Sequence, residues 1–235
     1  MIKKLIPIQV KYALKRLFDF LSWDPWLVRS WSQEGEDMIL NRIFYGKKNG
    51  FYVDIGAHHP KRFSNTYFFY RHGWKGVNID AMPGSMKLFN KWRPKDINLE
   101  MGVAEETGIL NYYVFNETAL NSFSKEVSEQ RDLKESNYYI KEVIQVKVAP
   151  LSEILDRYNV PNNIDFLSID VEGYDLSVIK SNDWSKYRPT IVLVEILDSS
   201  MHEIEQSDIG RFMSEIGYIV YGKCVHTVLF RKVEK

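Results

Sequence analysis

The chain has 235 residues, enough for one α/β domain with a small appendage. A hydrophobic share of 45% and an aromatic share of 14% predict a large buried core and exclude wholesale disorder. Lys plus Arg and Asp plus Glu each number 31, so the net charge is zero and the overall charge does not favour nucleic acid as a partner.

Cysteine content and hydropathy bear on the compartment. Cys224 is the only cysteine, which excludes an internal disulfide framework and a multi-cysteine metal site and fits a reducing compartment. The sequence contains no run of about 18 apolar residues, so no membrane-spanning helix is predicted. Charged residues interrupt the N-terminal segment, unlike the apolar core of a secretory signal. We therefore expect a cytoplasmic protein.

Residues 1–31 differ from the rest and are predicted to form an amphipathic helical extension. Leu14, Leu17, Phe18 and Leu21 share one helical face, and Pro25 ends the pattern. The extension has two interpretations: a helix that contacts a membrane surface or a partner, or a helix that packs on the domain's own core. The second is favoured because moderate amphipathicity is usual for surface helices.

From residue 32 onward, strands are predicted to alternate with helices, which makes residues 32–235 one domain. A helix is expected to begin near Ser32. Strands are predicted over 50–56, 76–80, 97–104 and 109–115, with helices over 65–71 and after Pro83.

Residues 116–140 are polar and without a clean period, so a long connection is predicted there. Later strands are expected over 143–148, 164–169 and 190–196, with helices over 150–158, around Leu176 and Ile179, and over 203–216. A terminal hairpin pairs 218–220 with 225–230. The alternation predicts an α/β fold with a mainly parallel sheet and an antiparallel C-terminal hairpin.

The first candidate site is the pair of apolar runs that end in Asp54-Ile-Gly56 and in Asp80. A strand, a tight turn, a helix and a second strand ending in an acid form a unit that binds nucleoside cofactors, with the acid on the ribose. A dinucleotide would require further glycines, but His58, His59 and Pro60 follow Gly56. S-adenosylmethionine, which has no phosphates, suits this loop better.

The second candidate site is Asp170-Val-Glu-Gly173, at the carboxyl end of a predicted strand. Asp170, Glu172 and Glu195, which ends the next strand, are expected to converge on the reactive edge of the sheet. Three roles are open for them: general base, ligands for a hard divalent ion such as Mg²⁺, or acceptors for substrate hydroxyls. The remaining histidines have no metal-ligand spacing, and no metal-binding residues are assigned.

Six blocks of sequence follow one another over roughly residues 32–197. The blocks are Ser32-Gln-Glu-Gly-Glu-Asp37, Val53-Asp-Ile-Gly-Ala57, Ser64-Asn-Thr-Tyr67, Gly73-Trp-Lys-Gly76, Gly102-Val-Ala104 with Gly108, and Leu167-Ser-Ile-Asp-Val-Glu-Gly-Tyr-Asp175. In this order they resemble the FkbM-type methyltransferase family.

The resemblance implies a Rossmann-like class I methyltransferase fold that uses S-adenosylmethionine for O-methylation. It implies acceptors such as sugars, polysaccharide precursors or secondary metabolites. By motif, Asp54, Gly56 and Ala57 would surround the methionine part, Asp80 the ribose, and Val103 and Ala104 the adenine. His58 and Ala81, which follow the two turns, are also predicted to bind the cofactor. Asp170 would lie beside the transferred methyl group, with Glu172 and Glu195 in support.

Two departures from the family pattern concern the cofactor loop. His58-His59-Pro60 replaces the usual Asn or Gly, and the second strand ends in Asp80-Ala-Met-Pro83 rather than Glu-Pro-Asn-Pro. The alternative functions are a nicotinamide-dependent reductase and a non-catalytic protein on the same fold that binds a partner or membrane through residues 1–31.

Overall fold

The computed structural model describes residues 10, 12, 27–133, 137–197 and 199–233. The unit described below is Trp31–Lys235. Most of the helix predicted within residues 1–31 lies outside the described residues, so it stays a prediction. Within the described part of the chain, no helix has the length and apolarity needed to cross a membrane.

The helices alternate with strands along most of the unit. In the ranges described, the helices are α1 (Glu36–Ile43), α2 (Tyr67–Arg71), α3 (Met86–Trp92), α4 (Lys125–Leu133), α5 (Leu151–Arg157), α6 (Asp175–Lys180), α7 (Met201–Gln206) and α8 (Asp208–Glu215), with a 3-10 helix at Thr118–Leu120. The strands are β1 (Phe51–Ile55), β2 (Lys75–Asp80), β3 (Ile97–Glu100), β4 (Gly102–Val103), β5 (Gly108–Phe115), β6 (Ile140–Ala149), β7 (Phe166–Ile169), β8 (Ile191–Glu195), β9 (Tyr218–Lys223) and β10 (Thr227–Lys232).

Seven of the described strands form the central sheet, in the order β3-β2-β1-β7-β8-β10-β9. The first five run parallel, and β10 is antiparallel to both of its neighbours. This confirms the predicted Rossmann-like sheet with its antiparallel C-terminal hairpin. The chain leaves β1 toward β2 on one side and returns to β7 on the other, so the sheet has its topological switch point between β1 and β7.

Both faces of the central sheet are buried, which explains why its inner strands are apolar throughout. In β8, Ile191 and Leu193 belong to the core cluster of α1 and α2, whereas Val192 and Val194 belong to the cluster of α5, α6 and α8. Since successive strand residues face opposite sides, the two clusters lie on opposite faces of the sheet. The fold therefore has three layers, helix, sheet and helix.

The strand predicted over 97–104 is wrong as a single element, because the chain changes sheets at Met101. β3 pairs with β2 in the central sheet, whereas β4 pairs with β6 in a smaller sheet ordered β4-β6-β5. A Cβ on Gly102 would lie 2.4 Å from the Phe123 ring, so the smaller sheet passes close against the segment after β5. Because this contact joins segments that are distant in the chain, local sequence patterns do not predict the change of sheet at Met101.

Two other predicted elements also differ from the structure. The connection predicted over 116–140 contains α4, whose residues are mostly exposed, with Ser128 as its buried residue. An exposed helix has no apolar period to reveal it. The helix predicted over 203–216 is divided into α7 and α8 at Ser207, whose hydroxyl accepts a hydrogen bond from the Gly210 N–H at 3.0 Å and so begins a new helix.

Candidate functional site

Gly56 forms the turn that follows β1 at the switch point. Its φ is +79°, and a Cβ there would lie 1.7 Å from the carbonyl oxygen of Asp170. The Asp170 N–H donates to the Ile55 carbonyl at 3.0 Å. Only glycine allows both the left-handed backbone and this close approach. The turn after β1 and the turn after β7 are therefore packed directly on each other.

Asp80, at the end of β2, is held in place by backbone groups. One carboxylate oxygen accepts the His58 N–H at 2.8 Å, and the other accepts the Met82 N–H at 2.9 Å. Burial raises the pKa of Asp80, and these two hydrogen bonds oppose that rise. The carboxylate is thus fixed in orientation with lone pairs left for a ligand.

A cavity of about 290 Å³ lies over the carboxyl ends of β1 and β2. This volume is near the lower end of the roughly 300–1,000 Å³ of small-molecule sites. Its apolar lining includes Ile79, Met82, Leu88, Met101, Val103 and Phe123. Its polar and ionisable lining includes His58, Arg62, Asp80, Tyr112, Asn121 and Asp170. An elongated ligand with one apolar ring and several polar groups matches this lining.

His58 and His59 have structural roles in the loop that borders the cavity. His58 has a φ of +49°, and its Nε2 lies 3.1 Å from the Thr118 hydroxyl, on the segment that covers the cavity. Burial lowers its pKa, so the ring is neutral near pH 7. The His59 Nδ1 accepts the N–H groups of Lys61 and Arg62 and so forms the following turn. Where the family pattern has Asn or Gly, this loop thus carries histidines. The His58 side chain connects the loop to Thr118 across the cavity mouth.

The predicted cofactor residues are only partly brought together. Gly56, His58, Asp80, Ala81 and Val103 line the cavity. Three do not: Asp54, Ala57 and Ala104. The Ala57 side chain packs against Met86 and Phe89, and the Ala104 N–H donates to the Ala149 carbonyl.

Asp54 points into a buried polar network that the sequence did not reveal. Its carboxylate accepts the Thr66 hydroxyl at 2.6 Å, and Thr66 in turn accepts from Arg93 at 2.9 Å. Arg93 is fully buried and forms an ion pair with Asp96 at 2.9 Å. Burial raises the pKa of Asp54, whereas the Arg93 charge lowers it. Asp54 therefore supports the loop from beneath instead of lining the cavity, because β1 directs it toward Arg93.

The three predicted catalytic acids do converge. Ligand oxygens of Asp170, Glu172 and Glu195 lie within 4.8 Å of one another. Glu172 has a φ of +56° and forms an ion pair with Arg131 of α4, a residue that sequence reasoning missed. In the described ranges, neither the Asp170 nor the Glu195 carboxylate accepts a hydrogen bond from the protein. Two of the three acids are therefore available to a ligand.

Burial raises the pKa values of all three acids, and like charges nearby add to the rise for Asp170 and Glu195. Asp170 is open to solvent through the cavity it lines, yet burial, followed by the charges of Glu195 and Glu172, raises its pKa well above the usual range. Burial, followed by the charges of Glu172 and Asp175, raises the pKa of Glu195 to about 8. The Arg131 charge lowers the pKa of Glu172, but burial outweighs it. At neutral pH the three acids thus share protons and are not all ionised together.

This proton retention predicts that stability falls as pH rises. Because the folded pKa of Glu195 is about 8, above its unfolded value, the folded state binds the proton more tightly, and stability is lost between about pH 4 and pH 8. Glu195→Gln should therefore be more stable than the wild type by about 1–3 kcal/mol at pH 8 and nearly equal to it at pH 4.5. Urea unfolding at both pH values measures this. Exposed Glu106→Gln is the control, and equal stability of Glu195→Gln and wild type at pH 8 would contradict the assignment.

The chain is similar to a known protein family and to solved structures. The model of the methyltransferase FkbM domain matches residues 54–220. No curated protein sequence matches the chain. Among solved structures, the chain is similar to 1,6-didemethyltoxoflavin-N1-methyltransferase of Burkholderia thailandensis with bound 1,6-didemethyltoxoflavin and S-adenosylhomocysteine, at 11% identity and a TM-score of 0.44, with 97% of this chain and 92% of that chain covered.

A second similar structure is a TehB-like SAM-dependent methyltransferase of Corynebacterium glutamicum, at 7% identity and a TM-score of 0.41, with 96% of this chain and 97% of that chain covered. The family match spans more than half of the chain and confirms the resemblance of the sequence blocks. The chain belongs to the FkbM methyltransferase family.

Proposed function

We propose that this protein transfers a methyl group from S-adenosylmethionine to a hydroxyl of a small-molecule or carbohydrate acceptor, such as a sugar, a polysaccharide precursor or a secondary metabolite. The observation that carries the proposal is the position of Asp170. It lines the same cavity as Asp80, and its carboxylate lies within 4.8 Å of the Glu195 carboxylate, so a cofactor pocket and a carboxylate cluster meet at one residue.

The cavity lining fits this cofactor. Asp80 would hold the ribose hydroxyls, Val103 and Phe123 would contact the adenine, and Arg62 offers a cation for the methionine carboxylate. When bound, S-adenosylmethionine supplies a methyl group on a positively charged sulfur. The protein's own residues then hold the acceptor in line with that methyl group and remove its proton.

The same loop is poorly suited to a dinucleotide. The N–H groups of Gly56 and Ala57 both donate to the Ile79 carbonyl, at 3.0 and 3.1 Å, and the His58 N–H donates to Asp80. A pyrophosphate relies on free N–H groups at this turn. The turn therefore favours a cofactor without phosphates over a nicotinamide dinucleotide.

Removing the Asp80 charge should weaken cofactor binding. Asp80→Asn is expected to raise the dissociation constant of S-adenosylhomocysteine by about 10–100-fold, because it removes a charged hydrogen-bond acceptor for the ribose. Isothermal titration calorimetry measures the change. Glu100→Gln, at the same level of the neighbouring strand but outside the cavity lining, should bind as the wild type does. Equal affinity of Asp80→Asn and wild type would remove Asp80 from the ribose site.

Two roles for the acid cluster are distinguished by chelation. If Asp170 is a general base, activity survives treatment with EDTA. If the three acids hold Mg²⁺, activity is lost with EDTA and restored by added Mg²⁺. Carboxylates alone are compatible with either role.

Methyl transfer to oxygen is tested with S-adenosylmethionine carrying a radiolabelled methyl group and a panel of uncharged glycosides. The expected product is a methyl ether, which withstands mild alkali. Label that is released by mild alkali would indicate a carboxyl ester, and label that is found only on amines would indicate N-methylation. Either result would contradict the proposed O-methylation.

A further inference from the structure

A second crevice also borders the acid cluster. Asp170 lines both this crevice and the cofactor cavity. The crevice lining also includes Glu34, Glu36, Phe63, Asn65, Glu195 and His226. Methyl transfer requires the acceptor oxygen to lie close to the methyl donor and in line with it. Because Asp170 lines both spaces, a ligand in this crevice would meet the same carboxylate as a cofactor in the cavity.

The crevice has room for one small group. Its volume is about 20 Å³. A space of roughly 10–15 Å³ holds one water molecule, so this crevice accommodates a single hydroxyl. The remainder of any larger acceptor must lie outside it, against the residues at its opening.

Several polar groups in the crevice are left for a ligand. The Asp170 and Glu195 carboxylates accept no protein hydrogen bond in the part of the chain that is described. The Asn65 amide donates one N–H to the Ser168 hydroxyl at 3.0 Å, which leaves its carbonyl and second N–H. The His226 Nδ1 is buried without a hydrogen-bond partner among the described residues. A hydroxyl, which both donates and accepts, would donate to one carboxylate and accept from the Asn65 N–H.

The charge of the crevice selects against anions. Glu34, Glu36, Asp170 and Glu195 line it, and its described lining contains no Lys or Arg. A phosphate or carboxylate here would meet acidic side chains at close range, with no cation in the described lining to pair with it. The reacting unit of the acceptor must therefore be uncharged or cationic.

An aromatic ring lies at the opening. Phe63 is 52% exposed and has a φ of +56°, a conformation that is rare for a bulky residue. The Arg62 guanidinium lies 5.1 Å from the ring centroid, yet half of the side chain remains accessible. An exposed aromatic ring beside carboxylates and an amide suits the apolar face and the hydroxyl edge of a sugar ring.

We propose that this crevice is the acceptor site and that the acceptor presents an uncharged, hydroxyl-rich ring, with one hydroxyl between Asp170 and Glu195 and the ring face on Phe63. The inference rests on the proposed function. In the reaction, the hydroxyl oxygen forms a bond to the methyl carbon as the carbon–sulfur bond breaks. The sulfur keeps that electron pair, and the hydroxyl proton passes to Asp170.

The test is saturation-transfer NMR on the full chain with saturating S-adenosylhomocysteine. The probes are methyl glycosides of neutral hexoses and the 1-phosphates of the same hexoses, which differ in charge. The neutral glycosides should bind at least about tenfold more tightly than the phosphates. Phe63→Ala should weaken glycoside binding by about 3–10-fold. Its affinity for S-adenosylhomocysteine should stay within about twofold of the wild-type value. Tyr45→Ala, which removes an aromatic side chain of a residue that is 80% exposed, is the matched control and should bind as the wild type does.

Equal or tighter binding of the phosphates, unchanged glycoside binding in Phe63→Ala, or no glycoside binding at all would overturn the inference. Failure of wild-type protein to bind S-adenosylhomocysteine would instead contradict the proposed function. The cofactor titration therefore separates the two failures.

Discussion

Asp170→Asn is expected to lower kcat/KM for methyl transfer by about 10²–10⁴-fold, the usual contribution of a general base. The substitution keeps the size of the side chain but removes the carboxylate that lies between the cavity and the acceptor crevice. The dissociation constant of S-adenosylhomocysteine should change by less than about tenfold, since the proposed ribose and adenine contacts are made elsewhere. Steady-state kinetics with a labelled methyl donor and calorimetry measure the two quantities.

Unfolding does not explain this expected loss. Neutralising Asp170 removes repulsion among three acids within 4.8 Å, so the variant should be at least as stable as the wild type in urea. Asp208→Asn, a surface aspartate paired with Arg211 on α8, controls for the substitution itself. Wild-type turnover by Asp170→Asn would exclude Asp170 as the base or as an essential metal ligand.

Arg93→Met is expected to destabilise the protein by about 3–5 kcal/mol, the usual effect of removing one partner from a buried ion pair. The side chains of Arg93 and Asp96 are both fully buried, and Arg93 also donates to Tyr52 and Thr66. Without the guanidinium, the carboxylates of Asp96 and Asp54 lose their nearby cation. Urea unfolding measures the change in the free energy of unfolding.

Two further variants make the Arg93 prediction specific. Lys91→Met, at an exposed residue in the last turn of α3, should change stability by less than about 0.5 kcal/mol. The double variant Arg93→Met/Asp96→Asn should recover part of the loss, because one of the unpaired charges is gone. A loss below about 1 kcal/mol for Arg93→Met would mean that the network contributes little to the fold.

The sheet and its reactive edge were predictable because they depend on local patterns. Apolar runs such as Ile191–Glu195 mark strands buried on both faces. Gly56 follows β1 directly and Asp80 ends β2, so their places at the carboxyl edge come from chain order alone. The convergence of Asp170, Glu172 and Glu195 follows in the same way from two adjacent parallel strands.

The contacts that complete the site were not predictable from the sequence, because they join distant segments. Arg131 reaches Glu172 from a helix with no apolar period, and Phe63 lies at the acceptor crevice through the path of a loop. Asp54 points toward Arg93, which follows α3 and lies 39 residues further along the chain, so its motif position did not reveal its surroundings. Local sequence patterns do not reveal contacts between segments that are far apart in the chain.

The central claim is that the cavity over β1 and β2 binds S-adenosylmethionine. Calorimetric titration of the wild-type chain with S-adenosylhomocysteine, and separately with NADH, tests it most directly. Binding of S-adenosylhomocysteine at one site per chain, weakened by Asp80→Asn, with no heat from NADH, is the predicted result. Binding of NADH, or no binding of S-adenosylhomocysteine, would contradict the claim.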